Sequence, residues 1–225
     1  TAFFLALWFS GRHPKPLYVA SAFAILSVVL LSTGSRTPIL ALTITFVWLS
    51  LCYRNRRSLI TIGVMLTSGF TLFLVNPEIL TSRGLSHRPG IWMSSLQKGI
   101  EHPWFGHGFE HSMSVYVETA KKSFYDPHNI EIAVFLAGGI VGLTLWLALY
   151  AIALRYAWQN RSNYLVMISS ALLVYGFAAG LTEGGEFLTR PKEHWFLIWI
   201  PFALLSSTWV ANDPPKTTQL ENPDT

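Results

Sequence analysis

The chain has 225 residues, 51% of them hydrophobic and 12% charged, with 9 Trp, 15 Phe, a formal net charge of +4 and a mean hydropathy of +0.39. A soluble domain carries about twice that share of charged residues. The apolar residues also come in runs rather than alternating, which argues against a soluble enzyme and for a chain embedded in a bilayer.

In chain order, residues 1–10 read as the tail of a span. The runs 17–33, 39–52, 58–75, 130–154, 164–181 and 195–210 approach the roughly 20 residues that a membrane-crossing helix needs. The run 39–52 is short for that length. No initiator Met and no signal-peptide pattern opens the chain, so residues 1–211 are expected to be the C-terminal part of one larger transmembrane domain. The tail 212–225, NDPPKTTQLENPDT, is polar and Pro-rich and is expected to be a disordered cytoplasmic end. The single Cys52 excludes an internal disulfide. The expected fold class is all-α: a polytopic helical bundle in the membrane, with a long outer loop at 76–127.

Three short loops are basic and hold no acid: GRHPKP with Arg12 and Lys15, YRNRRS with Arg54, Arg56 and Arg57, and RYAWQNRSN with Arg155 and Arg161. Placing them in the cytoplasm, as the positive-inside rule asks, puts STGSRTP, the loop 76–127 and TEGGEFLTRPKEH on the opposite side. That side still carries Arg36, Arg190, Lys192 and five more cations in the long loop. Topology does not need them, so they want another explanation.

In the long loop, Trp92, Leu96 and Ile100 recur at helical spacing, which predicts an amphipathic helix over about 89–101 lying on the membrane surface. HPWFGHGF then breaks the helix at Pro103, Gly106 and Gly108, and 112–120 reads as helical again. His87, His102, His107 and His111 raise the question of a metal. His107 and His111 have i,i+4 spacing, but the flanking glycines argue against a helix and no Cys helps, so no metal is expected.

The segment FYDPHN precedes the apolar run that starts at residue 130. Asp126 suits a helix cap, Pro127 the first helical position, and Glu131 the positive end of the helix dipole. His128 and Asn129 are left over. On the topology above, His128, Arg36, Arg83 and Arg88 face one compartment at similar depth. Arginine forks suit phosphate oxygens, and an imidazole beside them suits proton removal from a hydroxyl near neutral pH. The set points to a lipid-linked phosphate. The plainer readings are an interfacial histidine and arginines reaching for headgroups. Glu183 and Glu186 face the same side, as sugar contacts or simply as loop solvation. Trp92 and Trp104 are placed to stack on sugars or to join an aromatic belt.

The pair His128–Asn129, then nine residues, Gly139, two residues and Gly142 fits the pattern His-[Asn/Ser/Gln]-x9-Gly-x-x-[Gly/Thr/Tyr]. SRTPILAL, with Ser35 directly before Arg36, resembles a serine-x-arginine helix start. RPGIW followed by IEHPWFGHGF resembles an arginine-x3-tryptophan segment followed by Pro-x-x-Gly-x-Gly. With these motifs, over about 17–207, the chain resembles the superfamily of O-antigen ligases and O-antigen polymerases, bacterial envelope glycosyltransferases.

The resemblance implies an all-helical multi-span fold in the bacterial inner membrane. It implies transfer of a glycan from undecaprenyl diphosphate to an acceptor hydroxyl, on lipid A-core or another glycan, at the periplasmic face. It implies inversion, with no metal or other cofactor, and membrane lipids rather than nucleic acid as surroundings. Arg36 and Arg88 would then hold the diphosphate and His128 would activate or orient the acceptor. Asn129 would support it by a hydrogen bond. Gly139 and Gly142 would be packing positions that let a neighbouring helix approach. Arg83, close to Arg88, competes for the same role. The family's N-terminal half is missing from this chain. Ligase, polymerase and protein O-oligosaccharyltransferase share the donor chemistry and are not separated by these motifs. A transporter, a flippase or a non-catalytic subunit is the other class. It fits less well, because the span interiors lack charged residues apart from Glu131.

Overall fold

The computed structural model describes residues 1–11, 15–32, 35–54, 56, 60, 63, 67, 87–185, 187–188 and 195–212. Arg83, Glu186, nearly all of the run 58–75 and the tail after 212 lie outside the described residues. The described part is mostly helical. Its helices are α1 (Ala2–Ser10), α2 (Pro16–Ser32), α3 (Thr37–Tyr53), α4 (Arg88–Ile100), α5 (Ile130–Gln159), α6 (Tyr164–Gly180) and α7 (Ile200–Asn212). By length and composition α5 is able to cross a membrane, and the segments Leu17–Leu30, Thr37–Tyr53, Tyr164–Gly180 and Trp195–Ala211 are shorter apolar helices.

The all-α expectation needs a correction in the outer loop. Strand β1 (Val115–Val117) pairs antiparallel with β2 (Lys122–Phe124), Val115 opposite Phe124, where 112–120 was expected to be helical. The physical reason is period-two packing. Val115 and Val117 turn inward onto Ile91 of α4, while Tyr116 faces out.

Helices α3 and α6 form the centre of the helical part. Ala41 meets Ala178 and Ala179, small residues that let the two backbones approach, and the Trp48 indole N–H donates to Ser170 Oγ at 3.1 Å. Helix α1 adds Leu5, Ala6 and Phe9 to Phe46, Leu49 and Met167. The chain enters α7 through a wide π-helical turn, Trp195–Trp199. Pro201 has no N–H for the Leu197 carbonyl, and that oxygen lies against Gly176 of α6, where a Cβ would come within 1.8 Å. Ile25, Val28, Val29, Leu145, Ile152, Phe196 and Val210 are apolar and exposed, the surface that lipid rather than water would cover.

Helix α5 is broken. Gly139 has φ +62° and ψ −159°, outside helical space. The loop 103–108 runs through the break. His107 and Gly108 amides donate to the Leu136 and Ala137 carbonyls at 2.8 and 2.9 Å, closing the first half. Ile140 and Val141 amides donate to the Pro103 and Trp104 carbonyls at 2.8 and 3.2 Å, opening the second. Four backbone groups that a break would leave bare thus find partners, which an apolar setting demands. The two backbones cross at glycine. A Cβ on Gly106 would lie 2.4 Å from the Ala137 carbonyl carbon, and one on Gly139 2.4 Å from that of Trp104. Gly139 is therefore not a helix-packing position. It admits a loop, and it adopts a φ that side chains avoid. Gly142 faces only the Val134 carbonyl, at an ordinary 3.7 Å. In a straight helix Glu131 and Leu143 would be about 18 Å apart, yet both line one groove, so the halves fold toward each other. The second half, 140–159, reaches on its own the roughly 20 residues of a span.

Helix α4 lies where an amphipathic helix was expected, rotated by one residue. Its buried face is Ile91, Ser95 and Gly99, because Gly99 seats the ring of Phe135. Leu96 and Ile100 of the predicted stripe are exposed.

Candidate functional site

The start of α5 sets the site. Asn129 is the cap, with extended backbone, its Oδ1 accepting from the Ile132 amide at 2.9 Å. Its Nδ2 donates to the Leu181 carbonyl at 2.8 Å, tying the helix start to the end of α6. This overturns the expectation of Asp126 as cap and Pro127 as first helical residue. Asp126 is engaged elsewhere. Its Oδ1 accepts from the His128 amide at 2.7 Å, a local turn of the kind Asp favours. His128 is held at φ +48°, a conformation that Asn, Asp and His tolerate better than most residues. The same carboxylate oxygen stands 3.2 Å from His128 Nδ1. With Nδ1–H facing Asp126, Nε2 carries the lone pair. The two side chains are 39% and 33% exposed, reachable from outside. This is the arrangement of a base and its orienting acid.

The segment 181–188 runs past this pair and gathers the other residues. Leu181 receives Asn129. Thr182 Oγ1 and Thr37 Oγ1 share a hydrogen bond of 2.9 Å. Glu183 pairs with Arg88 and accepts from Thr37 Oγ1 at 3.5 Å. Gly185 lies against Asp126, so close that a Cβ there would come within 2.7 Å of the Asp126 Cβ. Arg36 is exposed and immediately precedes Thr37 at the start of α3. Phe124 of β2 packs between His87, at 6.0 Å, and His128, at 6.5 Å between ring centroids. His87 is the residue before Arg88. Arg36, Arg88, Asp126, His128, Asn129 and Glu183 are therefore brought together from four parts of the chain.

Glu183 is not a free sugar contact here, since it is the partner of Arg88. Such a partly exposed pair is worth no more than about 1 kcal/mol. Trp92 lies on α4 one turn beyond Arg88 and is half-buried. Trp104 sits exposed at the loop crossing.

The loop histidines form a row. Ring centroids of His102 and His107 are 4.5 Å apart, and those of His107 and His111 4.8 Å. His107 Nε2 is 2.8 Å from the Lys98 carbonyl and so carries a proton there. Lys98 Nζ donates to the Ser112 and Ser114 carbonyls beside them. Desolvation, then the Lys98 ammonium and the neighbouring rings, lower the His111 pKa from its ordinary value. Among the described residues no group of three or more His, Cys, Asp or Glu is placed to hold a metal ion. The row braces the loop that crosses α5.

Sequence reading missed the Thr37–Thr182 bond and the service of Asp126 to His128. The second had a signal, Asp two residues before His across a proline.

Residues 21–147, more than half of the chain, match the family model described as O-Antigen ligase. The chain is 46% identical over 213 residues to an O-antigen ligase of Pseudomonas aeruginosa, covering 93% of this chain and 52% of that protein. It thus spans about half the length of the relative it matches. No solved structure matches it. The matched region holds Arg36, Arg88, the crossing loop and the Asp126–His128–Asn129 start of α5, and the chain belongs to the O-antigen ligase family.

Proposed function

We propose that the full-length protein is a multi-pass inner-membrane glycosyltransferase that moves a glycan from undecaprenyl diphosphate to a hydroxyl of lipid A-core at the periplasmic face. The observation that carries this is the Asp126–His128 pair, against which Gly185 packs two residues after Glu183, the partner of Arg88, with Thr37, next to Arg36, bonded to the same segment. His128 Nε2 takes the proton of the acceptor hydroxyl as that oxygen attacks the anomeric carbon. The bond from that carbon to the phosphate oxygen breaks, and undecaprenyl diphosphate leaves with its charge held by Arg36 and Arg88. Attack opposite the leaving group inverts the centre, and no metal is called on. Asp126 holds the imidazole in the tautomer the step needs. Asn129 fixes the backbone on which His128 stands. Membership of the family, the apolar exposed helices and the exposed stripe of α4 support the membrane setting.

A strain lacking the full-length protein should carry lipid A-core without polymer while lipid-linked polymer accumulates. Complementation with Arg88→Lys or Arg36→Lys should restore no more than roughly a tenth of the ligated polymer, because the ammonium keeps the charge and loses the two-donor fork. Arg83→Lys should be milder. A single repeat unit on the core of the deletion strain would mean polymerisation and would overturn the ligase reading.

A further inference from the structure

A pocket of about 230 Å³ opens next to Asp126, walled in part by Gly185, Phe187 and Leu188, which follow Glu183 in the chain. Phe109, Tyr125, Phe187 and Leu188 wall it, with His111 and Gly185. Tyr125 directly precedes Asp126, and Gly185 lies against Asp126, so two walls of the pocket adjoin the acid. Phe187 is 5% exposed and anchored, its ring 5.9 Å from that of Phe109 and 5.5 Å from Trp146 of α5. Phe109 and Tyr125 stand out at 62% and 90% exposure, on loop chain rather than on an apolar helix. Exposed rings beside polar atoms present a face to C–H groups and an edge of hydrogen-bonding groups. A sugar ring offers both. A polyisoprenoid tail offers only the first.

The order along 181–188 assigns which sugar. Glu183 and Arg88 come first, then Gly185 against Asp126, then the pocket at Phe187 and Leu188. Asp126 therefore meets this segment between Glu183, which holds Arg88, and the residues that wall the pocket. An acceptor seated in the pocket would approach Asp126 and its partner His128 from the pocket side, with Arg88 on the other. We propose that the Phe109–Tyr125–Phe187 pocket is the subsite for the acceptor's sugar ring, one face of it stacked on Tyr125 or Phe109. This rests on the transfer reading above.

The test uses the full-length protein in detergent and, as probe, a core oligosaccharide freed of lipid A, with binding followed by saturation-transfer NMR. Tyr125→Phe, which keeps the ring, should bind as wild type does. Tyr125→Ala and Phe109→Ala should each weaken binding about tenfold. In the transfer assay those two alanine variants should raise KM for the acceptor while kcat and the donor KM hold. Alanine variants that bind like wild type, a wild type that binds no oligosaccharide, or a rise in donor KM instead would each overturn the subsite. If binding depends on the two rings but wild type transfers nothing, the subsite stands and the transfer reading falls.

Discussion

Asp126→Asn should lower glycan transfer by roughly ten- to 100-fold while leaving the protein folded. The reasoning starts from the helix cap. If Asp126 began α5, Asn would replace it almost without cost, because Asn and Asp cap equally well. The cap is Asn129 instead, and Asn at 126 still accepts from the His128 amide. What the exchange removes is the negative charge 3.2 Å from His128 Nδ1, which steadies the imidazolium that forms when Nε2 takes a proton. His128→Asn should cost roughly 100-fold or more, the scale of lost acid–base help. Asn suits the φ of +48°, so the turn survives. The double variant should be no slower than His128→Asn alone, since the acid acts through the histidine. The check is the initial rate for each variant beside its melting temperature. An Asp126→Asn protein with wild-type rate would remove the acid from the account.

Gly139→Ala and Gly106→Ala should each destabilise the protein severely, by about 3 kcal/mol or more. A Cβ at either position would lie 2.4 Å from backbone that cannot move without parting the crossing, and both residues have φ above +60°. Losing the crossing also strips partners from the Leu136 and Ala137 carbonyls and the Ile140 and Val141 amides. Neighbouring glycines give the contrast. Gly138 has nothing within 4 Å of its missing Cβ, and Gly142 has one atom at 3.7 Å. Gly138→Ala and Gly142→Ala should be close to neutral. Melting in detergent separates the two pairs, and equal losses at Gly142 and Gly139 would contradict the crossing.

The sequence singled out Arg36 and His128 because each stands beside an apolar run, and Arg88 because it is a cation of the long loop that topology does not need. Other features were hidden for physical reasons. Asp-Pro before an apolar run satisfies the capping rule as well as Asn129 does. The choice was made by the bond from Asn129 to Leu181, which is 52 residues away and has no local trace. The His-Asn-x9-Gly spacing marked Gly139, yet a glycine in an apolar run reads as close helix packing. Its partner, Gly106, lies in a separate motif, and only the fold shows that the two are one crossing. The turn of α4 was misjudged because two of the three residues on its buried face, Ser95 and Gly99, are small rather than apolar, and Gly99 accepts the Phe135 ring by being small. The β1–β2 ribbon needs a partner strand to declare its period.

The most direct test of the central claim separates donor binding from turnover in purified full-length protein, with EDTA present. Undecaprenyl-diphosphate-linked glycan is bound first, and acceptor is then added for a single turnover. His128→Asn should bind the donor as wild type does and transfer at roughly one hundredth of the rate or less, while Arg88→Lys should lose donor affinity and wild type should ignore EDTA. Transfer by His128→Asn at the wild-type rate would contradict the assignment of His128 as the base, and abolition of wild-type transfer by EDTA would contradict the assignment of the diphosphate charge to arginine alone.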